Sequence, residues 1–196
     1  MIKIRKGVFE TNSSSTHSMA IPKTLKNEYP NVVHFGFGEF GWGFDEVNPA
    51  DYLYTALYDL YSYSQSDELE KKLNFLKSAL EKRDIRYTMQ EPKFTPSTWE
   101  KGKYYFGSGY IDHVGGLEPF IEEVFKSEDK LLNFIFYGLV FTANDNEDID
   151  GFITRAEKFL SDDYYNEETR KWETKKVINQ YYSPKYENYN WYYKGN

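Results

Sequence analysis

Leu69, Leu73, Leu76 and Leu80 recur at steps of four, three and four, with Lys71, Lys72 and Lys77 falling between them and Glu81 just after. That period lays the leucines along one stripe of an α-helix and turns the charges toward water, with Ser66 or Asp67 in place to cap it. A second helix precedes it: Asn48-Pro49 reads as a helix start, and Leu53, Ala56, Leu57 and Leu60 follow at helical spacing to about residue 63. The two are expected to form a hairpin, each covering the apolar side of the other.

Strand patterns surround this pair. MIKIRK, residues 1 to 6, puts Ile2 and Ile4 on one face and Lys3 and Arg5 on the other. HSMAIP (17 to 22, stopped by Pro22), NVVHFGF (31 to 37), IRYTMQ (85 to 90), KYYFGSGYIDHV (103 to 114) and LVFTAND (139 to 145) read as further strands. GFGEFGWGF, 36 to 44, alternates glycine with bulky residues and predicts a bulged or tightly turned loop. LEPFIEEVFKS, SEDKLLNFIFYG and DIDGFITRAEKFL (148 to 160) read as helices. The expected fold is α+β: one domain over 1 to 180, with a small, mostly antiparallel sheet packed against the helical hairpin and further helices. A tail, 181 to 196, follows, with six Tyr and one Trp in YYSPKYENYNWYYKGN.

Composition narrows the chemistry. The 196 residues suffice for one ordinary core, and 19 Tyr and 15 Phe make that core aromatic-rich and partly wet. With no cysteine, disulfides, thiolate nucleophiles and Cys-based metal sites are excluded. The first ten residues alternate apolar and basic positions unlike a signal peptide, and no run of 18 uncharged apolar residues occurs, so a cytoplasmic protein without membrane contact is expected. The net charge of −7 argues against general nucleic-acid binding, which needs a basic surface. Any nucleic-acid contact must be local or delivered by a partner.

The densest chemistry lies in RKGVFETNSSSTHS, 5 to 18. Asn12, Ser13, Ser14, Ser15 and Thr16 supply polar side chains, and successive N–H groups in a turn can hold an anion. Such runs also favour plain loops, because their side chains bond neighbouring backbone groups. Glu10 and His17 stand seven residues apart on either side of the turn, a carboxylate and an imidazole suited to general acid–base work. Arg5 and Lys6 can offset the charge of a transferring phosphoryl group. Each has an ordinary alternative: Glu10 as a cap or ion-pair partner, His17 as a locally satisfied side chain.

Two further blocks stand out. GSGYIDHVGG, 107 to 116, ends a predicted strand with Asp112 and His113, which point to opposite faces unless the strand is bulged. TANDNED, 142 to 148, crowds carboxylates and amides at a strand end without EF-hand spacing. Walker, HExxH and GxSxG motifs are absent. No cofactor and no metal site is expected.

The run RKGVFETNSSSTHS resembles that of small proteins encoded by phages and mobile elements of Gram-positive bacteria, and YIDH and the TANDN strand end are similar to later blocks of those proteins. The resemblance is to type II-A anti-CRISPR proteins of the kind that shorten the single guide RNA held by the effector nuclease. It implies that Glu10 is the first candidate for activity, and that the partners are a type II CRISPR effector nuclease and its guide RNA. RNA scission needs a base, an acid and donors for the pentacoordinate phosphate, roles that Glu10, His17, Asp112 or His113, with Arg5, Lys6, Asn12 and Ser13 to Ser15, can fill without a metal. An acidic chain would be drawn to a basic effector, and Arg170, Lys171, Lys175, Lys176 and Trp191 could grip single-stranded RNA. The alternatives are a non-catalytic acidic inhibitor that blocks nucleic-acid binding, and a phage phosphoester- or nucleotide-processing enzyme unrelated to CRISPR.

Overall fold

Asn48 opens the helix around which the chain is arranged. In the computed structural model, which describes residues 15–96, 104–144, 158–179 and 182–194, its side chain accepts hydrogen bonds from the N–H groups of Ala50 (2.8 Å) and Asp51 (3.4 Å). This cap contributes about 1 kcal/mol, and Pro49 sits where its missing N–H costs nothing. The helix, α1 (Pro49–Tyr61), buries Ala50, every residue from Tyr52 to Tyr58, and Tyr61. Burial on nearly all sides makes it a core helix.

A short turn leads into α2 (Ser66–Glu81), which packs on α1 and buries Leu69, Leu76, Ala79 and Leu80, with Leu73 against the same core. Two details differ from expectation. Ser66 is the first helical residue and Gln65 takes the cap position with no side-chain bond, so neither Ser66 nor Asp67 caps. Lys72, expected to face water, is buried: its Nζ lies 2.6 Å from Glu122 Oε1 and 3.3 Å from Glu68 Oε1. Three residues after Leu69 and four before Leu76, it belongs to the buried stripe, and those carboxylates compensate its charge.

The main sheet has four antiparallel strands. β1 (Ser15–Pro22) lies between β12 (Tyr189–Lys194) and β9 (Leu139–Asn144), and β4 (Asp45–Val47) pairs with the far side of β9. The tail's residues 189 to 194 thus form an outer strand of this sheet, in register from His17 opposite Lys194 to Pro22 opposite Tyr189. α3 (Glu118–Val124) follows a 3-10 turn at Val114–Leu117, and α4 (Glu128–Tyr137), capped by Ser127, packs against β1 and α1.

Smaller ladders border the core. β2 (Val32–Phe35) runs parallel to β5 (Arg86–Met89), and β3 (Glu39–Phe40) parallel to β8 (Tyr110–Ile111). β6 (Phe94–Pro96) pairs antiparallel with β7 (Tyr104–Phe106). The strand expected over 103 to 114 is two strands, because the chain turns through Gly107, Ser108 and Gly109, and a Cβ at Gly109 would lie 2.6 Å from the Gly38 carbonyl. β10 (Phe159–Asn166) and β11 (Lys171–Ile178) form an antiparallel hairpin that sequence patterns do not announce. Its first two residues, Phe159 and Leu160, end the span expected as a helix, whose residues 148 to 157 lie outside the described ones, as does the strand expected over 1 to 6. Among the described residues no helix is long and apolar enough to cross a membrane.

Candidate functional site

β1 carries the second half of the polar run into the middle of the sheet. His17 stands opposite Thr142 of β9 and Lys194 of β12, and Ser15 stands opposite Asn144. Both side chains are fully enclosed, as is Tyr52 of α1, which meets the imidazole from the helix side.

Their hydrogen bonds run in one direction. The Ser15 hydroxyl donates to the Asp112 backbone carbonyl at 3.0 Å. A carbonyl only accepts, so the hydroxyl proton is committed there, and Ser15 Oγ receives the Nε2–H of His17 at 2.9 Å. In a neutral imidazole the other ring nitrogen, Nδ1, then accepts from the Tyr52 hydroxyl at 2.9 Å. Burial pushes the Tyr52 phenol well above its ordinary range, which keeps it a donor. The relay is therefore Tyr52 to His17 to Ser15 to the Asp112 carbonyl. These bonds tie β1 to α1 through Tyr52 and to the turn after β8 through the Asp112 carbonyl.

The loop before β4 closes over this group. Gly41 has φ of +102°, and a Cβ there would lie 3.1 Å from the Cβ atoms of both Asp112 and Ser15 and 3.3 Å from His17 Cε1. This is the turned, glycine-dependent loop expected from GFGEFGWGF, with β3 as an added short strand. Pairing of β3 with β8, extended by the Asp112 N–H to the Phe40 carbonyl at 3.1 Å, brings the YIDH block to the site.

Past Ile111 the chain leaves the strand. Asp112 is buried, whereas His113 takes the left-handed conformation (φ 54°) and turns its ring outward, 51% exposed, with Nε2 3.9 Å from Asp112 Oδ1. The two diverge through this turn. Below them Asp59 Oδ2 accepts the Ile111 N–H at 2.6 Å, and its carboxyl is pushed up to about 6 by burial, which outweighs the lowering effect of that bond.

The raised Asp59 value gives a pH dependence with a definite sign. The folded chain favours the protonated acid, so this contribution is fully present below the ordinary carboxylate value and is lost as pH rises through about 6. Allowing for partial exposure, wild-type stability should fall by about 2 kcal/mol between about pH 4 and 7 relative to Asp59→Asn, whose amide oxygen still accepts from Ile111. Denaturant melts across that range measure it, and parallel curves for the two proteins would refute the assignment.

Of the residues singled out from sequence, Ser15, His17 and Asp112 are brought together, Asp112 through its carbonyl, and His113 lies at the rim. Arg5, Lys6, Glu10, Asn12, Ser13 and Ser14 lie outside the described residues, as do residues 145 to 148. Trp191 packs on its own domain, donating from Nε1 to the Tyr186 carbonyl (3.0 Å) and stacking near Phe141. Lys175 pairs with Asp162 at 3.2 Å. Tyr52, Gly41 and Asp59 were not legible as site residues, although Tyr52 precedes Ala56 by four and so shares its helix face. Among the described residues no three His, Asp or Glu side chains cluster as a metal site would require. No protein-family model, curated protein or solved structure matches the chain.

Proposed function

We propose that the chain is a counter-defence protein that acts in the cytoplasm of a bacterial host, engages a type II CRISPR effector nuclease and causes truncation of its single guide RNA. One observation carries this reading: the blocks that bear the resemblance meet in space although they lie far apart in sequence. Ser15 of the N-terminal run is bonded to Asp112 of YIDH and is paired with Asn144 of the TAN strand end.

In this reading the enclosed relay positions the segment that precedes it. Glu10 is the group that acts on the RNA, and Arg5, Lys6, Asn12, Ser13 and Ser14 meet its phosphates. His17 has no exposed surface on which to receive a substrate, so its part is to hold β1. His113 is the accessible imidazole of the group.

A stoichiometric acidic inhibitor is the second reading, favoured by Glu39, Asp45, Glu46 and Asp51, which line one recess. The two separate by titration of effector activity. Truncation predicts inhibition at protein below one equivalent of effector and its loss in Glu10→Ala. Charge mimicry predicts a one-to-one endpoint, weakening with salt, and indifference to Glu10→Ala.

A further inference from the structure

The hairpin β10–β11 shares a ladder with no other strand among the described residues. A two-stranded hairpin is marginal in water, and three or more strands are needed for independent stability. This one is exposed on both faces, with Trp172 73% open to solvent. The backbone groups it leaves unpaired follow from its register. The Asn179 N–H donates to the Lys158 carbonyl at 3.1 Å, one step beyond the pairing of Phe159 with Ile178. Bonded pairs alternate along an antiparallel ladder, so Lys171, Glu173, Lys175 and Val177 turn their N–H and carbonyl groups toward β10. Trp172, Thr174 and Lys176 turn theirs to the outer edge.

That edge is complementary to itself. A second copy laid antiparallel on it, with a two-fold axis at Thr174, pairs Thr174 with Thr174 and Trp172 with the second copy's Lys176 through their outward N–H and carbonyl groups. Between these pairs, Glu173 stands opposite the second copy's Lys175, and Lys175 opposite its Glu173. On one face each Trp172 ring then meets a lysine, and on the other two unlike charges meet twice. Glu173 has room for this: Thr169 and Asn166 donate to Oε1 at 2.6 and 3.0 Å and Tyr164 to Oε2 at 3.1 Å, which leaves a lone pair on Oε2. Neighbouring registers fail, because moving the axis by one residue sets Glu173 against Glu173 or Lys175 against Lys175. Two copies of β10 repel, since its charged residues are Asp162 and Asp163. Lysines on an edge strand ordinarily deter pairing; here Lys175 and Lys176 each face a complementary group.

We infer that the protein forms a two-fold dimer through the outer edge of β11, joining two hairpins into one four-stranded antiparallel sheet in the order β10–β11–β11–β10. The contact uses the same surface on both copies, so it closes at two. Pairing of β10 with the β11 of another copy also sets carboxylates against lysines, but that contact is head-to-tail and does not close at two. The inference does not depend on the function proposed above, since the pairing needs only the hairpin.

Sedimentation of the full chain at rising concentration tests this. Wild type should show a monomer–dimer equilibrium, with Kd raised about tenfold or more in Glu173→Lys and in Lys175→Glu, each of which sets two like-charge pairs across the axis. Mixing those two variants should restore the dimer, because each copy then meets the opposite charge at both positions, and restoration also shows that neither variant is merely unfolded. The register is read separately. The chain has no cysteine, so Thr174→Cys should oxidise to a disulfide-linked dimer, its Cα atoms lying about 5.5 Å apart across the axis. Lys176→Cys should not, at about 14 Å from its counterpart. A monomer at every concentration, species larger than a dimer, no association in the mixture, or equal cross-linking of the two cysteine variants would overturn the assignment. Guide truncation plays no part in these readouts, so the two proposals fail separately.

Discussion

His17→Ala should lower the stability of the chain by about 3 kcal/mol. The substitution opens a cavity in a strand buried on both faces and removes the acceptor of the Tyr52 hydroxyl, whose remaining neighbour is the Met19 sulfur at 3.8 Å, a weak acceptor. Ser15 keeps its bond to the Asp112 carbonyl but loses its bond to His17 Nε2. Tyr52→Phe, which removes the hydroxyl bonded to Nδ1, should cost about 1 to 2 kcal/mol. Because the two residues share one bond, the double variant should be less destabilised than the sum of the single variants, by about 1 kcal/mol. Urea melts of the four proteins measure the cycle. Additive losses, or a loss below about 1 kcal/mol for His17→Ala, would mean that the relay does not hold β1.

Gly41→Ala should be comparably damaging, at about 3 kcal/mol. Two costs coincide: a side chain at φ +102° is strained in any surroundings, and the new Cβ would press on the Cβ atoms of Asp112 and Ser15, which lie too close to the backbone to swing aside. Gly115→Ala is the matched control, since nothing lies within 4 Å of a Cβ there, and it should stay within about 0.5 kcal/mol of wild type. Thermal or urea melts compare them, and equal stabilities would remove the tight closure over Ser15 and His17. His17→Ala and Gly41→Ala should also weaken any activity that depends on the N-terminal run, in proportion to the folded fraction lost.

Sequence patterns carried the helices well, because apolar spacing and caps are local. Asn48-Pro49 marks α1, the leucine stripe marks α2, and the apolar pattern of SEDKLLNFIFYG marks α4. Lys72 departs from the expectation its charge sets because its spacing places it on the buried stripe. The hairpin β10–β11 was illegible for a physical reason: both its faces are largely exposed, so its strands lack the apolar–polar alternation of a half-buried sheet. Its turn contains no glycine, and Arg170 takes the left-handed position (φ 52°) that usually announces one. The pairing of the tail with β1 is a contact between the two ends of the described chain, which no local window contains.

The candidate site divides the same way. Ser15, His17 and Asp112 stood out as residue types, but the direction of their hydrogen bonds depends on Tyr52 and on a backbone carbonyl ninety-seven positions from Ser15. Only three-dimensional placement shows the His17 imidazole enclosed between Ser15 and Tyr52. Asp59, likewise, is an unremarked carboxylate in sequence, and its raised value arises from burial beneath Ile111.

The function proposed here is tested most directly by the length of the guide. A type II effector loaded with its single guide RNA is incubated with the protein, and the RNA is resolved on a denaturing gel. A shortened guide is predicted with wild type and an intact one with a Glu10→Ala protein that melts like wild type. A guide left intact by wild type, or shortened equally by both proteins, would contradict it.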